Sequence, residues 1–118
     1  MTQIRRQPTS SASPVDVRRI VERDYPAQVR TALAVLDQYG SEPWHKEIVR
    51  VRLAALKLGA GDIWALQSQV KSACRDSRDV LSSAEYPAYS MASPKLGPDD
   101  VQALLTADRR AYDAWLRG

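Results

Sequence analysis

Apolar residues recur every three or four positions along most of this chain, the spacing that places them on one face of an α-helix. Residues 41–62 differ because their apolar positions form two stripes. The first stripe contains Trp44, Ile48, Val51, Ala55 and Leu58, and the second contains Val49, Leu53 and Leu56. A helix that is apolar on two sides needs neighbours on both. The pattern therefore predicts a central helix at about residues 43–58, with Ser41 as its N-cap and Gly59 beyond its last turn.

The same spacing predicts four further helices around this central one. The first follows Ser13 and Pro14, the second covers about residues 26–39, the next covers about residues 62–86, and the last begins at Pro98. Pro26 either breaks the chain or kinks one long helix, and we favour a break. A hinge near residues 75–77 would divide the helix over residues 62–86.

Nothing in the sequence indicates β-structure, since it has no alternating β-branched run and no hairpin turn pair. The fold class that follows is all-α, as a single-domain bundle of four to five helices over residues 14–118. Residues 1–13 lack periodicity and are rich in Ser, Thr and Pro, which predicts a flexible N-terminal tail. A length of 118 residues is that of one ordinary domain.

The charge balance is mildly basic, with 17 Lys and Arg residues against 14 Asp and Glu residues and a net charge of +3. The two signs are interleaved, whereas a dedicated nucleic-acid-binding domain concentrates its basic residues on one face. The single cysteine, Cys74, excludes an intrachain disulfide and a cysteine-rich zinc site. No apolar run approaches the roughly 18 residues that span a bilayer. We therefore expect a cytoplasmic protein with no membrane partner.

Few residues could carry catalytic chemistry. His45 is the only histidine, and the sequence assigns neither a nucleophile nor an orienting carboxylate to it. Cys74 falls at the edge of an apolar stripe, which favours a buried, unreactive thiol over an activated nucleophile. Neither metal-ligand spacing nor a phosphate-binding loop occurs. We expect no catalytic residue, no cofactor and no metal site.

Two polar residues occupy positions that face neighbouring helices. Arg52 points between the two apolar stripes of the central helix, and Asp108 falls in the middle of the apolar face of the last helix. Because an unpaired buried carboxylate is costly, we predict a buried ion pair between Arg52 and a carboxylate of another helix. Asp108 and Glu85 are the first candidates. The pair would fix helix packing, and a ligand-binding site is the alternative.

Basic residues form stripes on two consecutive helices. They are Lys46, Arg50 and Lys57 on the central helix and Lys71, Arg75 and Arg78 on the next. If these stripes converged, they would form an anion-binding or nucleic-acid-binding surface with Trp64 as a stacking group. If the helices packed side by side, the stripes would face water. Trp64 itself either packs on a loop or the last helix or belongs to a partner interface.

Several short motifs resemble a known family. They are RVRLA at residues 50–54, KL at 57–58, GD at 61–62, RDSRDVL at 75–81 and AEYP at 84–87. Over about residues 25–87 the chain resembles a family of small, uncharacterised, all-helical bacterial proteins. The resemblance implies a helical fold and implies no activity, cofactor or partner. Members of that family often have aromatic residues where this chain has Ser77 and Ser83.

The function expected from these observations is a non-catalytic interaction or structural module whose partner is a protein, either a second copy in a homo-oligomer or a different chain. Anion or nucleic-acid binding through the basic helix faces is the alternative. A small enzyme is the second alternative. It ranks last because one histidine and one cysteine leave few routes to acid–base or nucleophilic chemistry.

Overall fold

The computed structural model describes residues 12–118, which form helices and connecting segments without any strand. The helices are α1 (Pro14–Asp24), α2 (Val29–Asp37), α3 (Ile48–Gly59), α4 (Ile63–Arg75), α5 (Ser77–Glu85), α6 (Pro87–Ser90) and α7 (Pro98–Arg117). The predicted all-α, single-domain fold is confirmed. The described range contains seven helices instead of four or five, because residues 62–86 form two helices and a one-turn helix follows them.

The central position of α3 is confirmed by its burial. Helix α3 packs against α1, α4 and α5. Val51 and Ala55 from the first apolar stripe are each 1 % exposed, and Leu53 and Leu56 from the second stripe are fully buried. Burying each leucine contributes roughly 1.5–3 kcal/mol relative to leaving it exposed. Both stripes are therefore covered, as a helix with two apolar sides requires.

The start of α3 differs from the prediction. The helix begins at Ile48 and not at residue 43, because Glu47 adopts a left-handed conformation with φ of 50°. The Tyr39 hydroxyl donates a hydrogen bond to the Lys46 carbonyl at 2.8 Å and accepts one from the Lys46 N–H at 3.2 Å. The buried tyrosine thus holds the backbone before α3 in a loop. Trp44 consequently lies outside the helix and is 65 % exposed.

The break at Pro26 is confirmed. Helix α1 ends at Asp24, and Tyr25 follows as its C-cap with φ of −127° and ψ of 50°. Helix α2 begins only at Val29. This arrangement matches the bias of a residue before proline away from helical angles.

The hinge expected near residues 75–77 is a complete break between two helices. Asp76 has extended dihedrals, with φ of −156° and ψ of 99°, and its carboxylate accepts a hydrogen bond from the Arg78 N–H at 3.0 Å. An aspartate in this geometry is a typical N-cap. Asp76 therefore ends α4 and begins α5.

Helix α7 begins at Pro98 as predicted, and its far end is fixed by arginines of α1. Arg19 donates to the Leu116 carbonyl and Arg23 donates to the Trp115 carbonyl, each at 2.7 Å. The Arg23 guanidinium also lies 5.5 Å from the centroid of the Trp115 ring. The last carbonyls of a helix lack partners within it and carry partial negative charge. The two arginines supply those missing partners.

The chain before α1 is described only from residue 12. Residues 1–11 of the flexible tail predicted at residues 1–13 therefore lie outside the described residues. Ser13 is the N-cap of α1, and its N–H donates to the Asp16 carboxylate at 2.9 Å. Within residues 12–118, none of the helices combines the length and apolar character required to cross a membrane.

Gly59, the last residue of α3, is expected to resist substitution by alanine. An added Cβ would meet the Tyr25 hydroxyl and would lie 3.2 Å from the Leu66 Cα. Alanine gains up to about 1 kcal/mol in helix propensity, but the steric cost is about 1–3 kcal/mol. Gly59→Ala should therefore lower the free energy of unfolding by about 1–2 kcal/mol in urea denaturation.

Two further variants control this prediction. Gly97 has no heavy atom within 4 Å of an added Cβ, so Gly97→Ala should cost no more than about 1 kcal/mol, the usual range for an N-cap change. Adding Tyr25→Phe to Gly59→Ala should recover part of the loss, because it removes the atom nearest the new methyl group. Wild-type stability for Gly59→Ala would contradict the packing described here.

Candidate functional site

The outer side of α4 carries an exposed row of residues. Trp64, Ser68, Lys71 and Arg75 recur at spacings of four, three and four, which places them on one line along the helix. Trp64 is 76 % exposed, so the expected packing of its ring on a loop or on the last helix does not occur. At about 1.5 Å per residue, Trp64 and Arg75 lie roughly 16 Å apart.

A second exposed tryptophan lies at the far end of this row. Trp44, from the loop before α3, lines the same surface pocket as Arg75 and Arg78. We call Trp44, Trp64, Lys71, Arg75 and Arg78 the basic–aromatic face. Within residues 12–118, no carboxylate lies within 4.0 Å of Lys71 or Arg75. Arg78, in contrast, is paired with Asp76 at 3.1 Å.

The structure divides the basic stripe expected on the central helix. Convergence of the two stripes is one of the two arrangements that the sequence allows, and Arg50 is not free to take part in it. Lys46 lies in the loop before α3, and Lys57 is half-buried in the last turn. Arg50 is bound to two carboxylates. Because these two carboxylates compensate its charge, Arg50 is not a free cation on this face.

Arg50 and Glu85 form the best-buried ion pair among the described residues. Arg50 Nε donates to Glu85 Oε2 at 2.9 Å and Arg50 Nη2 donates to Oε1 at 2.7 Å. The Glu85 side chain is 3 % exposed and that of Arg50 is 29 % exposed. A third bond joins Arg50 Nη1 to Glu47 at 2.9 Å. The hydrogen bonds to Glu85 raise the pKa of Arg50, so the pair stays charged and ties α3 to the end of α5.

Tyr112 of α7 lies beside this pair. It is 2 % exposed, and its hydroxyl has no hydrogen-bond partner within residues 12–118. Burial raises the pKa of Tyr112, and the negative charge of Glu85 raises it further. The phenol is therefore neutral at physiological pH, and it packs α7 against the buried end of α5.

The first candidates for the partner of Arg52, Asp108 and Glu85, are wrong, although a carboxylate of another helix does lie near it. Arg52 donates to the Tyr39 carbonyl through Nε at 3.0 Å and through Nη2 at 2.8 Å. The nearest carboxylate is that of Asp37, at 3.6 Å, and neither Asp108 nor Glu85 pairs with Arg52. Arg52 thus binds the C-terminal end of α2, where carbonyls lack helical partners and attract a cation. A structural role in packing is retained, with different partners.

Asp108 is buried, as its position in the apolar face of α7 predicts, but backbone groups satisfy it. Its carboxylate accepts hydrogen bonds from the N–H groups of Ala88 at 3.1 Å and Tyr89 at 2.9 Å. Pro87 opens α6, so these are early N–H groups of a helix without partners inside it. Asp108 therefore caps α6 from α7 and needs no arginine.

His45 organises the loop before α3. Its Nδ1 accepts hydrogen bonds from the N–H groups of Gly40 at 2.7 Å and Glu42 at 3.3 Å. The imidazole stacks on the Tyr39 ring at 4.4 Å and meets the Trp44 ring edge-on at 5.7 Å. Because Nδ1 is the acceptor, the hydrogen of the neutral ring lies on Nε2. The histidine holds the loop and orients the exposed tryptophan.

Cys74 is not activated for nucleophilic chemistry. Its Sγ donates to the Gln38 carbonyl at 3.7 Å. Burial raises the pKa of the thiol, and the charge of Glu42 raises it further. A reactive cysteine requires the opposite shift, because the thiolate is the nucleophile.

A shallow pocket of about 240 Å³ lies between this loop and the junction of α4 with α5. We call it the loop pocket. Its lining includes Tyr39, Trp44, His45, Cys74, Arg75, Asp76 and Arg78. Asp76 accepts from Arg78 Nε at 3.1 Å and Nη2 at 3.3 Å, and these bonds lower its pKa. The structure thus brings together two predicted basic residues, the histidine and the cysteine, which lie apart in the sequence.

The described residues contain no cluster of three or more histidine, cysteine, aspartate or glutamate side chains suited to a metal ion. Comparisons of this chain with protein-family models, with curated proteins and with solved structures find no match. The geometry of the basic–aromatic face and the loop pocket is therefore the basis for assigning a function.

Sequence reasoning missed the roles of Tyr39 and Trp44. Trp44 fits the apolar stripe of the predicted central helix by spacing alone, whereas it lies exposed in the loop. Gly40, Ser41 and Pro43 are residues typical of turns, and their clustering could have indicated this loop. Tyr39 fits the apolar face of the second helix predicted over residues 26–39, and nothing in the sequence indicates that its hydroxyl binds Lys46.

Removing Arg50 should lower the free energy of unfolding more than removing its partner Glu85. Arg50→Met leaves the buried Glu85 carboxylate unpaired, so we expect a loss of about 2–4 kcal/mol in the free energy of unfolding. Glu85→Met should cost less, because Arg50 is partly exposed and keeps Glu47. The double variant should be more stable than Arg50→Met alone. Urea denaturation followed by circular dichroism measures all three.

Arg18→Met is the matched control for this series. Arg18 pairs with Glu22 at 3.1 Å, but both side chains are more than half exposed. Such a surface pair contributes little, so the control should change stability by less than about 0.5 kcal/mol. If Arg50→Met cost no more than Arg18→Met, the Arg50–Glu85 pair would not have the structural role assigned to it.

Proposed function

We propose that this protein is a non-catalytic interaction module that binds an acidic segment of a partner protein through its basic–aromatic face. The observation that carries the proposal is the exposure of Trp64 and Trp44, at 76 % and 65 %, at either end of a row containing Lys71 and Arg75. Tryptophan and arginine supply much of the binding energy in protein interfaces. Cations without an internal partner complement carboxylates on the other molecule.

The hydrogen bonds of His45 and the raised pKa of Cys74 support a non-catalytic role. His45 uses Nδ1 to hold the loop, and none of its hydrogen bonds in residues 12–118 joins it to a carboxylate or to Cys74. The thiol of Cys74 has a raised pKa. A general base or a nucleophile needs the opposite conditions, a positioned partner and an activated form.

The identity of the partner follows from the charge of the face. Only Lys71, Arg75 and Arg78 are basic on it, and Arg78 is already paired with Asp76. Lys71 and Arg75, which have no ion-pair partner within residues 12–118, match a protein segment with a few carboxylates. A second copy of this chain would place like charges opposite each other in a two-fold interface, which is unfavourable. We therefore favour a different protein over self-association.

Single-stranded nucleic acid or another anion is the second candidate. Trp64 lies in line with Lys71 and Arg75, and an aromatic ring beside basic groups can stack on a base. The small number of free cations disfavours this candidate, because nucleic-acid affinity grows with the number of phosphates neutralised.

A cytoplasmic location and membership of the helical bacterial family remain part of the proposal. The location is supported by the free thiol of Cys74, the only cysteine of the chain. The family resemblance carries no activity and leaves the surface argument unchanged.

The proposal is tested by capture of partners from cells that naturally express the protein, followed by direct binding of each purified candidate. The baits are the wild type, Trp64→Ser/Lys71→Glu, and Met91→Ser/Arg110→Glu as a control. The control makes the same changes of apolar character and charge at exposed positions away from the face. We expect a partner whose dissociation constant rises at least about tenfold with the face variant and is unchanged with the control.

Two outcomes would contradict the proposal. The first is that every purified candidate binds the face variant and the control equally well. The second is that only a single-stranded oligonucleotide binds in a face-dependent and salt-dependent manner, which would support the second candidate instead. Sedimentation at two protein concentrations in parallel tests self-association, and dimerisation lost in the face variant would identify the second copy as the partner.

A further inference from the structure

The loop pocket has one aromatic side and a cationic rim. Trp44 and the stacked rings of Tyr39 and His45 come from the loop and the residue preceding it, and the facing side comes from the end of α4 and the start of α5. Its volume is about 240 Å³. A cavity of about 150 Å³ can hold benzene, so one substituted six-membered ring fits.

The hydrogen-bonding capacity that remains in this pocket is mainly that of donors. His45 uses Nδ1 for the loop backbone, which leaves its Nε2–H available. The Arg75 guanidinium has no carboxylate within 4.0 Å among residues 12–118. Asp76, the one carboxylate in the lining, already accepts three hydrogen bonds from Arg78. A ligand that fits the pocket must therefore supply acceptors.

The charges of the lining also favour a ligand that supplies acceptors. The pocket is lined by two guanidinium groups, those of Arg75 and Arg78, and by the single carboxylate of Asp76. An arginine without a partner forms two parallel hydrogen bonds to a carboxylate. The negative charge of Glu42 also acts on Cys74, which lines the pocket. Because that charge repels an anionic ligand, we expect a modest, millimolar affinity for a small ligand.

We propose that the loop pocket binds a carboxylate carried on a flat apolar group, with the carboxylate on Arg75 and the flat group against Trp44. This inference rests on the proposed function and deepens it, because the pocket lies at one end of the basic–aromatic face. A carboxylate bound there is the anchoring group of the partner segment. A free aromatic acid is the other source of the same chemistry, and the experiment separates the two.

Titration of the isotope-labelled full chain, followed by nuclear magnetic resonance, tests the pocket without knowledge of the partner. The probes are benzoate, its neutral isostere benzamide, inorganic phosphate, and a capped peptide with phenylalanine next to glutamate. Benzoate should shift the signals of the Trp44 and His45 rings. Benzamide and phosphate should bind at least about fivefold more weakly, since each lacks one of the two required features.

Variants assign the binding to the pocket. Arg75→Gln should weaken benzoate binding at least about fivefold, whereas Arg110→Gln, an exposed arginine of α7, should leave it unchanged. A peptide that binds more tightly than benzoate and depends on Arg75 identifies a partner segment as the source, and benzoate binding without peptide binding identifies a free acid.

The inference is overturned if no probe shifts these signals at millimolar concentration, if benzamide or phosphate binds as well as benzoate, or if Arg75→Gln binds as the wild type does. Its failure differs from failure of the proposed function. Partner binding that depends on Trp64 and Lys71 would survive an empty pocket. Benzoate binding that depends on Arg75 would in turn survive the absence of any face-dependent partner.

Discussion

The structure depends on the two-sided burial of α3. Val51 and Ala55 face one set of neighbours and Leu53 and Leu56 face another, and all four are almost completely excluded from water. A helix with a single apolar stripe can lie on the surface of a bundle, but one with two stripes must be enclosed. Helices α1, α4 and α5 provide the enclosure. Their outer sides are therefore the surfaces left for binding.

The same constraint divides the basic residues into structural and free ones. Arg50 and Arg52 extend from an enclosed helix, so each meets a neighbouring element: Arg50 binds Glu85 at the end of α5, and Arg52 binds the carbonyl of Tyr39 after α2. On the outer side of α4, Lys71 and Arg75 are exposed, and no carboxylate lies within 4.0 Å of either among residues 12–118. Arg75 therefore has no ion-pair partner in the described part of the chain, and the loop anchored by Tyr39 places Trp44 on the same pocket.

Much of this fold could be predicted from the spacing of apolar residues, because that spacing reports which face of each helix is buried. The enclosure of α3, the break at Pro26 and the start of α7 at Pro98 all follow from local patterns. The start of α3 could not be predicted, because the hydroxyl of Tyr39 binds backbone groups seven residues away. The partners of Arg52 likewise depend on how whole helices dock, which no local pattern encodes.

Native-state hydrogen exchange tests the enclosure of α3 most directly. If α3 is covered on both sides, its amides at residues 53–56 open only through global unfolding and exchange most slowly in the chain. Amides of α7, which buries only Asp108 and Tyr112, should exchange faster through local opening. Exchange of the α3 amides at the same rate as those of α7 would contradict the account, because a helix enclosed on two sides cannot open while its neighbours stay in place.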